Sequence, residues 1–205
     1  MNAPEWIFFD LGSTLIDETL CLERRLRETL DGQTGPVQDG FLEELQRGYA
    51  MNQDGYRLAV RKFDLPKAPW RGECERLFPQ APQVLETLCR RYRLGVIANQ
   101  GPEAGARLSA WGIGGCFDVT VLSCEVGLSK PGPAIFRLAL ERADCAPERA
   151  WMVGDRLDND ILPAMALGMK TVWVRQGWGA WGNAALLPHE PTHIIDNIGQ
   201  MLAIF

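Results

Sequence analysis

Two aspartates and a lysine stand where their side chains could act together on a bound anion. Asp10 ends the apolar run at 6–9, Asp155 follows the apolar run at 151–153, and Lys130 lies between them in the chain. Two carboxylates in one small crevice repel each other unless a cation lies between them. A lysine ammonium offsets charge both on the acids and on an anion that binds beside them. The three residues indicate a reactive site, provided that the fold brings them together.

The elements that must position these residues are strands and helices in regular alternation. A strand is predicted at 6–10, and the next convincing strand comes only after a long interval. Further strands are predicted at 94–98, 119–122, 151–153, 171–174 and 193–195, separated by helices at 83–91, 102–111, 131–143 and 158–167 and followed by a terminal helix. This alternation is typical of parallel β-α-β units and of a sheet covered on both faces. The sequence therefore predicts an α/β fold with a Rossmann-like, doubly wound parallel sheet.

The ends of the predicted strands carry the polar residues. In an open parallel sheet, ligands bind in the crevice beyond the carboxyl ends of the strands. Asp10, Asn99 and Asp155 each come at such an end, and Lys130 lies just past the loop that follows the strand at 119–122. In a parallel sheet these side chains converge on one edge, which is where we expect the site.

The segment between the first two strands has a different, helical pattern. Helices are predicted at 20–30, 41–51 and 56–63, and the first of them repeats leucine every fourth residue, at Leu22, Leu26 and Leu30. We therefore expect a small all-helical insert at 18–79 on a core domain formed by 1–17 and 80–205. The hinges of the insert are expected near 17–19 and 78–82.

Composition and charge exclude several classes of protein. The 205 residues are 46% hydrophobic and 23% charged, as in an ordinary soluble globular protein. The net charge of -5 argues against nucleic acid and anionic membranes as partners. No window approaches a membrane span, the amino terminus lacks the pattern of a secretion signal, and the six cysteines form no C-x-x-C pair. We expect a reduced, cytoplasmic protein, and the sequence does not predict its oligomeric state.

The order of the motifs resembles that of the haloacid dehalogenase-like hydrolases, most of which are magnesium-dependent phosphatases. The resemblance covers essentially the whole chain: an opening Asp10–Leu15, a helical cap insert, Ala98–Asn99, Ser129–Pro131 and Gly154–Ile161. The last block, with 166–169 after it, is the most specific match. The resemblance implies a small phosphorylated substrate and Mg²⁺ as cofactor.

Residue by residue, the resemblance implies a covalent mechanism. Asp10 would be the nucleophile that becomes an aspartyl phosphate, and Lys130 would neutralise charge on Asp10 and the phosphate. The residues implied for the metal site are Asp10, the backbone carbonyl of Gly12, Asp155 and Asp160, the last holding a metal-bound water or Lys130, with Asp158 a weaker candidate for that role. The residues expected to contact the substrate are Ser13, Asn99 and Gln100.

The sequence departs from the family pattern at two positions. Most phosphatases of this family have an aspartate two residues after the nucleophile, as general acid and base, and here that residue is Gly12. They also have Ser or Thr where this chain has Ala98. A substitute acid is not identified; Asp17 and Glu18 are candidates only if the loop folds back. Three functions stay open: a slow or specialised phosphatase, a catalytically retired binding protein, and a metal-independent 2-haloacid dehalogenase-like hydrolase, against which the acid-rich 155–160 block argues.

Other conspicuous residues carry weaker predictions. Tryptophans in the segment 173–182 are expected to pack or to form a surface patch, with a place at the crevice as the alternative. His189 and His193 lack metal-ligand spacing and are expected outside the site. The arginines of the insert either reach over the crevice to select an anionic substrate or form the solvated faces of amphipathic helices; they are Arg24, Arg25, Arg27, Arg57 and Arg61.

Overall fold

Eight strands and nine α-helices form within residues 4–205, which the computed structural model describes. The strands are β1 (Trp6–Phe9), β2 (Ile16–Asp17), β3 (Arg76–Leu77), β4 (Arg93–Ala98), β5 (Val119–Leu122), β6 (Ala150–Gly154), β7 (Lys170–Val174) and β8 (His193–Ile195). The helices are α1 (Thr19–Thr29), α2 (Gly35–Ala50), α3 (Gly55–Lys62), α4 (Ala81–Leu88), α5 (Ala104–Ala110), α6 (Ser123–Val126), α7 (Pro133–Arg142), α8 (Leu162–Ala166) and α9 (Met201–Ile204).

Six of the strands form a parallel sheet in the order β5-β4-β1-β6-β7-β8. Strand β1 lies between β4 and β6, with Phe9 opposite Val96 on one side and Val153 on the other. The chain builds outward from β1 toward β5 on one side and toward β8 on the other, so the strand order reverses at β1. Such a reversal opens a crevice at the carboxyl ends of the strands. The predicted doubly wound α/β fold is confirmed.

Strand β1 is apolar because it is buried on both faces. Ile7 and Phe9 join the core under α4, α5 and α9, whereas Trp6 and Phe8 join the core under α7 and α8. Neighbouring residues of a strand point to opposite faces, so a strand covered on both sides has no polar alternation. Burying each of these large side chains contributes about 1.5–3 kcal/mol. The buried strand thus holds Asp10, the residue that follows it, in a fixed place.

The observed elements correct two sequence-based predictions. The helix predicted at 158–167 begins instead as a π-helical turn, Leu157–Ile161, before α8. In this wider turn the backbone N–H of Ile161 donates to the carbonyl of Arg156, five residues earlier, at 3.2 Å. The carboxylate of Asp160 accepts from the N–H of Arg156 at 3.0 Å. Strands β2 and β3 were not predicted, because two-residue strands leave no periodicity to detect. They pair antiparallel at the two ends of the insert, with Asp17 opposite Arg76.

The insert, residues 18–79, contains helices α1, α2 and α3 around a small core of its own. Leu30, Phe41 and Leu45 are among its buried residues. Helices α2 and α3 approach closely at Gly55, where a Cβ atom would lie 2.0 Å from the carbonyl oxygen of Leu45. Only glycine allows this contact. The division into a core of 1–17 and 80–205 and a cap of 18–79 stays a prediction.

No helix within residues 4–205 combines the length and the apolar character needed to cross a membrane.

Candidate active site

Three carboxylates and one ammonium meet at the carboxyl ends of β1 and β6. One oxygen from each of Asp10, Asp155 and Asp160 lies within 4.8 Å of the others. The Nζ atom of Lys130 donates to Oδ1 of Asp10 at 2.6 Å and to Oδ1 of Asp160 at 2.5 Å. All four residues are buried. The structure therefore brings together the acids and the lysine that the sequence singled out.

Backbone contacts fix the positions of the acids. The N–H of Asp10 donates to the carbonyl of Val153 at 2.9 Å, which extends the β1–β6 ladder by one residue. The indole Nε1 of Trp173 donates to the carbonyl of Asp155 at 2.8 Å. A Cβ atom on Gly154 would lie 2.5 Å from the side chain of Asp160, so this close approach requires glycine.

Asn99 holds the backbone of Lys130 from both sides. Its Nδ2 donates to the carbonyl of Lys130 at 2.8 Å, and its Oδ1 accepts from the N–H of Lys130 at 2.8 Å. The amide therefore fixes where the Lys130 side chain starts. Gln100 accepts from Arg107 at 2.8 Å and Ser13 donates to Glu18 at 3.1 Å. Substrate contact stays a prediction for these three residues, all of which line the cavity described below.

The carboxylates carry more negative charge than Lys130 offsets. Burial, followed by the charges of Asp160 and Asp10, raises the pKa of Asp155 well above its usual range. Burial also raises the pKa of Asp160 to about 6, against the lowering effect of Lys130. Burial alone would lower the pKa of Lys130, but Asp10 and Asp160 together raise it. A further cation beside Asp10 and Asp155 would relieve this repulsion, and hard carboxylate oxygens are the ligands that magnesium prefers. The donor set therefore fits Mg²⁺.

Glu18 reaches the same site from the start of the insert. Its carboxylate lies beside Gly12 and Ser13 and lines the cavity. Burial, followed by the charges of Asp10 and Glu75, raises the pKa of Glu18 to about 8. The sequence indicates Glu18 as a candidate substitute acid only if the loop between Asp10 and Glu18 folds back toward the site. In the structure this loop does fold back.

A cavity of about 430 Å³ lies above the carboxylates, and residues of the insert line its far side. The insert contributes Arg25, whose guanidinium lies 4.3 Å from the ring centre of Tyr56 and 5.5 Å from that of Trp70. Arg57 and Lys67 also line the cavity. The insert therefore lines the cavity with three cationic side chains, with aromatic rings and with two acids, Glu18 and Asp54.

Tryptophan and arginine side chains resolve the alternatives left open by the sequence. Trp178 lines the cavity and its ring also lies 5.8 Å from that of Tyr56, so it both packs and faces the site. Trp173 is buried and Trp181 is exposed. Arg25 and Arg57 face the cavity, whereas Arg24 pairs with Glu28 and Glu73; Arg27 and Arg61 are exposed.

The residues that sequence reasoning missed come from the insert. Tyr56 and Trp70 line the cavity, yet each resembles an ordinary core aromatic in the sequence. Their role depends on how the insert lies over the core, and no local sequence pattern predicts that placement. The histidines lie outside the site, as expected: His193 stacks on Trp151 at 5.6 Å, and the ring of His189 contacts the carbonyl of Glu190.

Known proteins are similar to this chain in sequence and in structure. The family model described as HAD-hydrolase-like matches residues 127–201. The chain is 33% identical over 193 residues to the glyceraldehyde 3-phosphate phosphatase of Pyrococcus abyssi, covering 83% of this chain and 81% of the relative. It is 33% identical over 216 residues to the pyrophosphatase PpaX of Bacillus velezensis, covering 97% and 94%. A haloacid dehalogenase-like family hydrolase from Streptococcus pneumoniae is similar in structure, with a TM-score of 0.67, 25% identity and full coverage of both chains.

Proposed function

We propose a mechanism for this chain from the premise that it belongs to the haloacid dehalogenase-like hydrolases and is a phosphatase-type member of that family. The proposed activity is magnesium-dependent hydrolysis of a small phosphorylated compound through an aspartyl phosphate on Asp10. The observation that carries it is the cluster of three buried carboxylates around Lys130, at the carboxyl ends of adjacent parallel strands.

In the first half of the reaction Asp10 attacks phosphorus. Lys130 donates to Oδ1 of Asp10; we take Oδ2 as the attacking oxygen and Oδ1 as the one that would also hold the metal. The new bond from Oδ2 to phosphorus forms as the bond from phosphorus to the leaving oxygen breaks. In the second half water attacks the same phosphorus, inorganic phosphate leaves, and the carboxylate of Asp10 is restored. Lys130 offsets the charge of Asp10 and of the phosphoryl oxygens throughout.

Asp10, Asp155 and the carbonyl of Gly12 are the groups that would hold the metal. When bound, magnesium would offset the negative charge that develops on the phosphate oxygens. Asp160 has a different task in this proposal. Both of its oxygens are engaged, one by Lys130 and the other by the N–H of Arg156, so it orients the lysine.

The substrate is proposed to be a small phosphate compound with a second anionic or planar part. The cavity of about 430 Å³ limits its size, and Arg25 with the rings of Tyr56 and Trp70 would contact the part away from the phosphate. Two relatives are named for activity on glyceraldehyde 3-phosphate and as a pyrophosphatase, which agrees with a small anionic substrate. Because Ala98 offers no hydroxyl to the phosphate, the rate is expected to be about 10²-fold below that of a site with this donor.

The test is a phosphatase screen with Mg²⁺ on aryl phosphates, acyl phosphates, sugar phosphates and pyrophosphate. We expect the parent to release phosphate and Asp10→Asn to fall to background, a loss on the order of 10⁴-fold or more. Equal rates for the two proteins would contradict the proposal. Chloride release from a 2-haloacid without metal would favour the dehalogenase alternative. Substrate binding without any turnover would favour the retired binding protein.

A further inference from the structure

The carboxylate of Glu18 occupies the space that a side chain at position 12 would fill. A Cβ atom built on Gly12 would lie 2.5 Å from Oε1 and 2.7 Å from Oε2 of Glu18. In an aspartate, two covalent bonds place the carboxylate oxygens at a comparable distance from their own Cβ. The φ angle of Gly12 lies outside the left-handed region, so a side chain at this position would not strain the backbone. The space beside Gly12 therefore decides which side chain could stand there. Glu18 therefore places a carboxyl group beside position 12, two residues after Asp10, without any side chain on Gly12.

The loop between β1 and α1 fixes Glu18 in this place. The N–H groups of Leu15 and Ile16 both donate to the carbonyl of Leu11, and Ser13 takes a left-handed conformation with φ 53. This tight loop reverses the chain, and the hydroxyl of Ser13 then donates to Oε2 of Glu18 at 3.1 Å. Glu18 stands at the N-cap position of α1, yet its side chain makes no capping hydrogen bond. The carboxylate is directed into the cavity and not to its own helix.

The neighbouring acids within residues 4–205 have other partners. Asp17, the other candidate in this linker, accepts from the N–H of Thr19 at 2.9 Å and does not line the cavity. Asp54 lines the cavity but caps α3 by accepting from the N–H of Arg57 at 3.0 Å. Glu75 accepts from Trp70 at 2.7 Å and pairs with Arg107 at 3.1 Å. Among the described cavity acids outside the aspartate cluster, Glu18 is the one that makes neither a helix cap nor an ion pair.

We propose that Glu18 is the general acid and base of this active site, supplied from the chain's entry into the insert in place of a side chain on Gly12. The inference rests on the proposed function. As Asp10 attacks phosphorus, the carboxyl of Glu18 gives its proton to the leaving oxygen, which departs as an alcohol. The resulting carboxylate then takes a proton from the attacking water. The bond between Asp10 and phosphorus breaks, inorganic phosphate leaves, and Glu18 is protonated again.

The first experiment compares Glu18→Gln with the matched control Asp17→Asn on two substrates, an alkyl phosphate and p-nitrophenyl phosphate, with Mg²⁺ present. An alkoxide needs a proton to leave, so we expect Glu18→Gln to lower the rate on the alkyl phosphate by about 10²- to 10⁴-fold. Nitrophenolate leaves without a proton, so the first step on the aryl phosphate should survive. Loss of the base then makes a burst of nitrophenol followed by slow turnover, with phosphorylated Asp10 detected by intact mass. Asp17→Asn keeps a side-chain oxygen that can accept from the N–H of Thr19, so it should retain the parent rates.

The second experiment moves the carboxyl group to position 12. Gly12→Asp alone forces two carboxylates into one space, so it should lower the rate of the parent. In Glu18→Ala that space is free, and Gly12→Asp in this background should recover at least about tenfold on the alkyl phosphate. Such a recovery would show that the rate depends on where the carboxyl group lies and does not depend on an unchanged loop. Thermal unfolding of each variant checks that it folds.

Three results would overturn the inference. The rates of Glu18→Gln could match those of the parent, the alkyl and aryl phosphates could lose rate equally with no burst, or Gly12→Asp could give no recovery in Glu18→Ala. In each of these cases the parent still hydrolyses phosphate esters and the proposed function stands. A parent that releases no phosphate from any ester and forms no phosphorylated Asp10 would overturn the proposed function, and this inference with it.

Discussion

The two walls of the cavity are built in opposite ways. The floor consists of four buried residues, Asp10, Lys130, Asp155 and Asp160. Asp10 and Asp155 follow strand ends, and Lys130 binds both Asp10 and Asp160. The roof consists of residues of the insert with Trp178, and its charged members, such as Arg25, are only partly buried. The Nε atom of Arg25 is enclosed and has no hydrogen-bond partner among the described residues. The floor holds Asp10 and Asp160 through Lys130 and leaves negative charge for a cation. The roof leaves a hydrogen-bond donor for a ligand.

This difference separates chemistry from substrate choice. Groups that attack phosphorus or hold a metal must be fixed before the substrate arrives, because a preorganised site needs no rearrangement during the reaction. Groups that recognise the rest of the substrate contribute to its affinity only once the substrate has bound. Changes in the floor should therefore alter the chemical step, and changes in the roof should alter substrate affinity. The following predictions test that separation.

Among the substitutions that compare the floor with the roof, Asp155→Asn is expected to have the largest effect. The change should lower the phosphatase rate by about 10³-fold or more, because it removes a charged metal ligand. It should also abolish stabilisation by Mg²⁺, which for the parent amounts to about 2.7 kcal/mol at a hundred times the dissociation constant. Without metal, the variant should be at least as stable as the parent, because burial and the charges of Asp160 and Asp10 disfavour ionised Asp155.

Thermal unfolding with EDTA and with excess Mg²⁺ measures both parts of this prediction. Asp158→Asn is the matched control, because Asp158 lies in the same segment but pairs with Arg156 at 2.6 Å. The control should keep the magnesium shift. A magnesium shift that survives in Asp155→Asn would place the metal elsewhere and break the assignment of the floor.

A smaller effect is expected for Arg25→Met in the roof. Loss of a charged hydrogen bond, worth about 1.5–3 kcal/mol, should raise KM about 10- to 100-fold for a substrate with a second anionic group, while kcat changes little. A neutral aryl phosphate should be nearly unaffected. Arg24→Met is the control, since the adjacent Arg24 pairs with Glu28 at 3.0 Å and Glu73 at 3.2 Å. A fall in kcat with KM unchanged would remove the distinction between roof and floor.

The floor could be predicted from the sequence because strand ends fix it. The end of a buried strand is visible as an apolar run that stops at a polar residue, and a parallel sheet brings such ends to one edge. Asp10 and Asp155 were found in this way. The family resemblance then supplied the roles of Lys130 and Asp160, whose pairing at 2.5 Å no strand pattern contains.

The sequence offered Glu18 and the arginines of the roof only as alternatives, because their positions depend on where the insert lies. The position of Glu18 follows from a reversal at Ser13 and from the short pair β2–β3, neither of which has a periodicity. Trp178 meets Tyr56 only through tertiary packing between segments that are far apart in the chain. Residues of this kind look like ordinary core aromatics until the fold is known.

The smallest effect on catalysis is expected for Tyr56→Phe, which keeps the ring beneath Arg25 and removes only the hydroxyl. That hydroxyl lies 2.7 Å from Oγ1 of Thr29 and accepts from the N–H of Ala68 at 3.2 Å, in buried surroundings. Leaving these partners unsatisfied should cost about 1–3 kcal/mol of unfolding free energy. Each kcal/mol lowers Tm by about 2–4 °C in a chain of this size. Since the ring still stacks on Trp178, kcat and KM should stay within about threefold of the parent.

Tyr49→Phe is the control, because the Tyr49 hydroxyl makes no side-chain hydrogen bond within residues 4–205, so its loss should change Tm less. A Tyr56→Phe protein with parental Tm but a large change in KM would mean that the hydroxyl contacts the substrate and that the roof, like the floor, contributes polar groups fixed in advance.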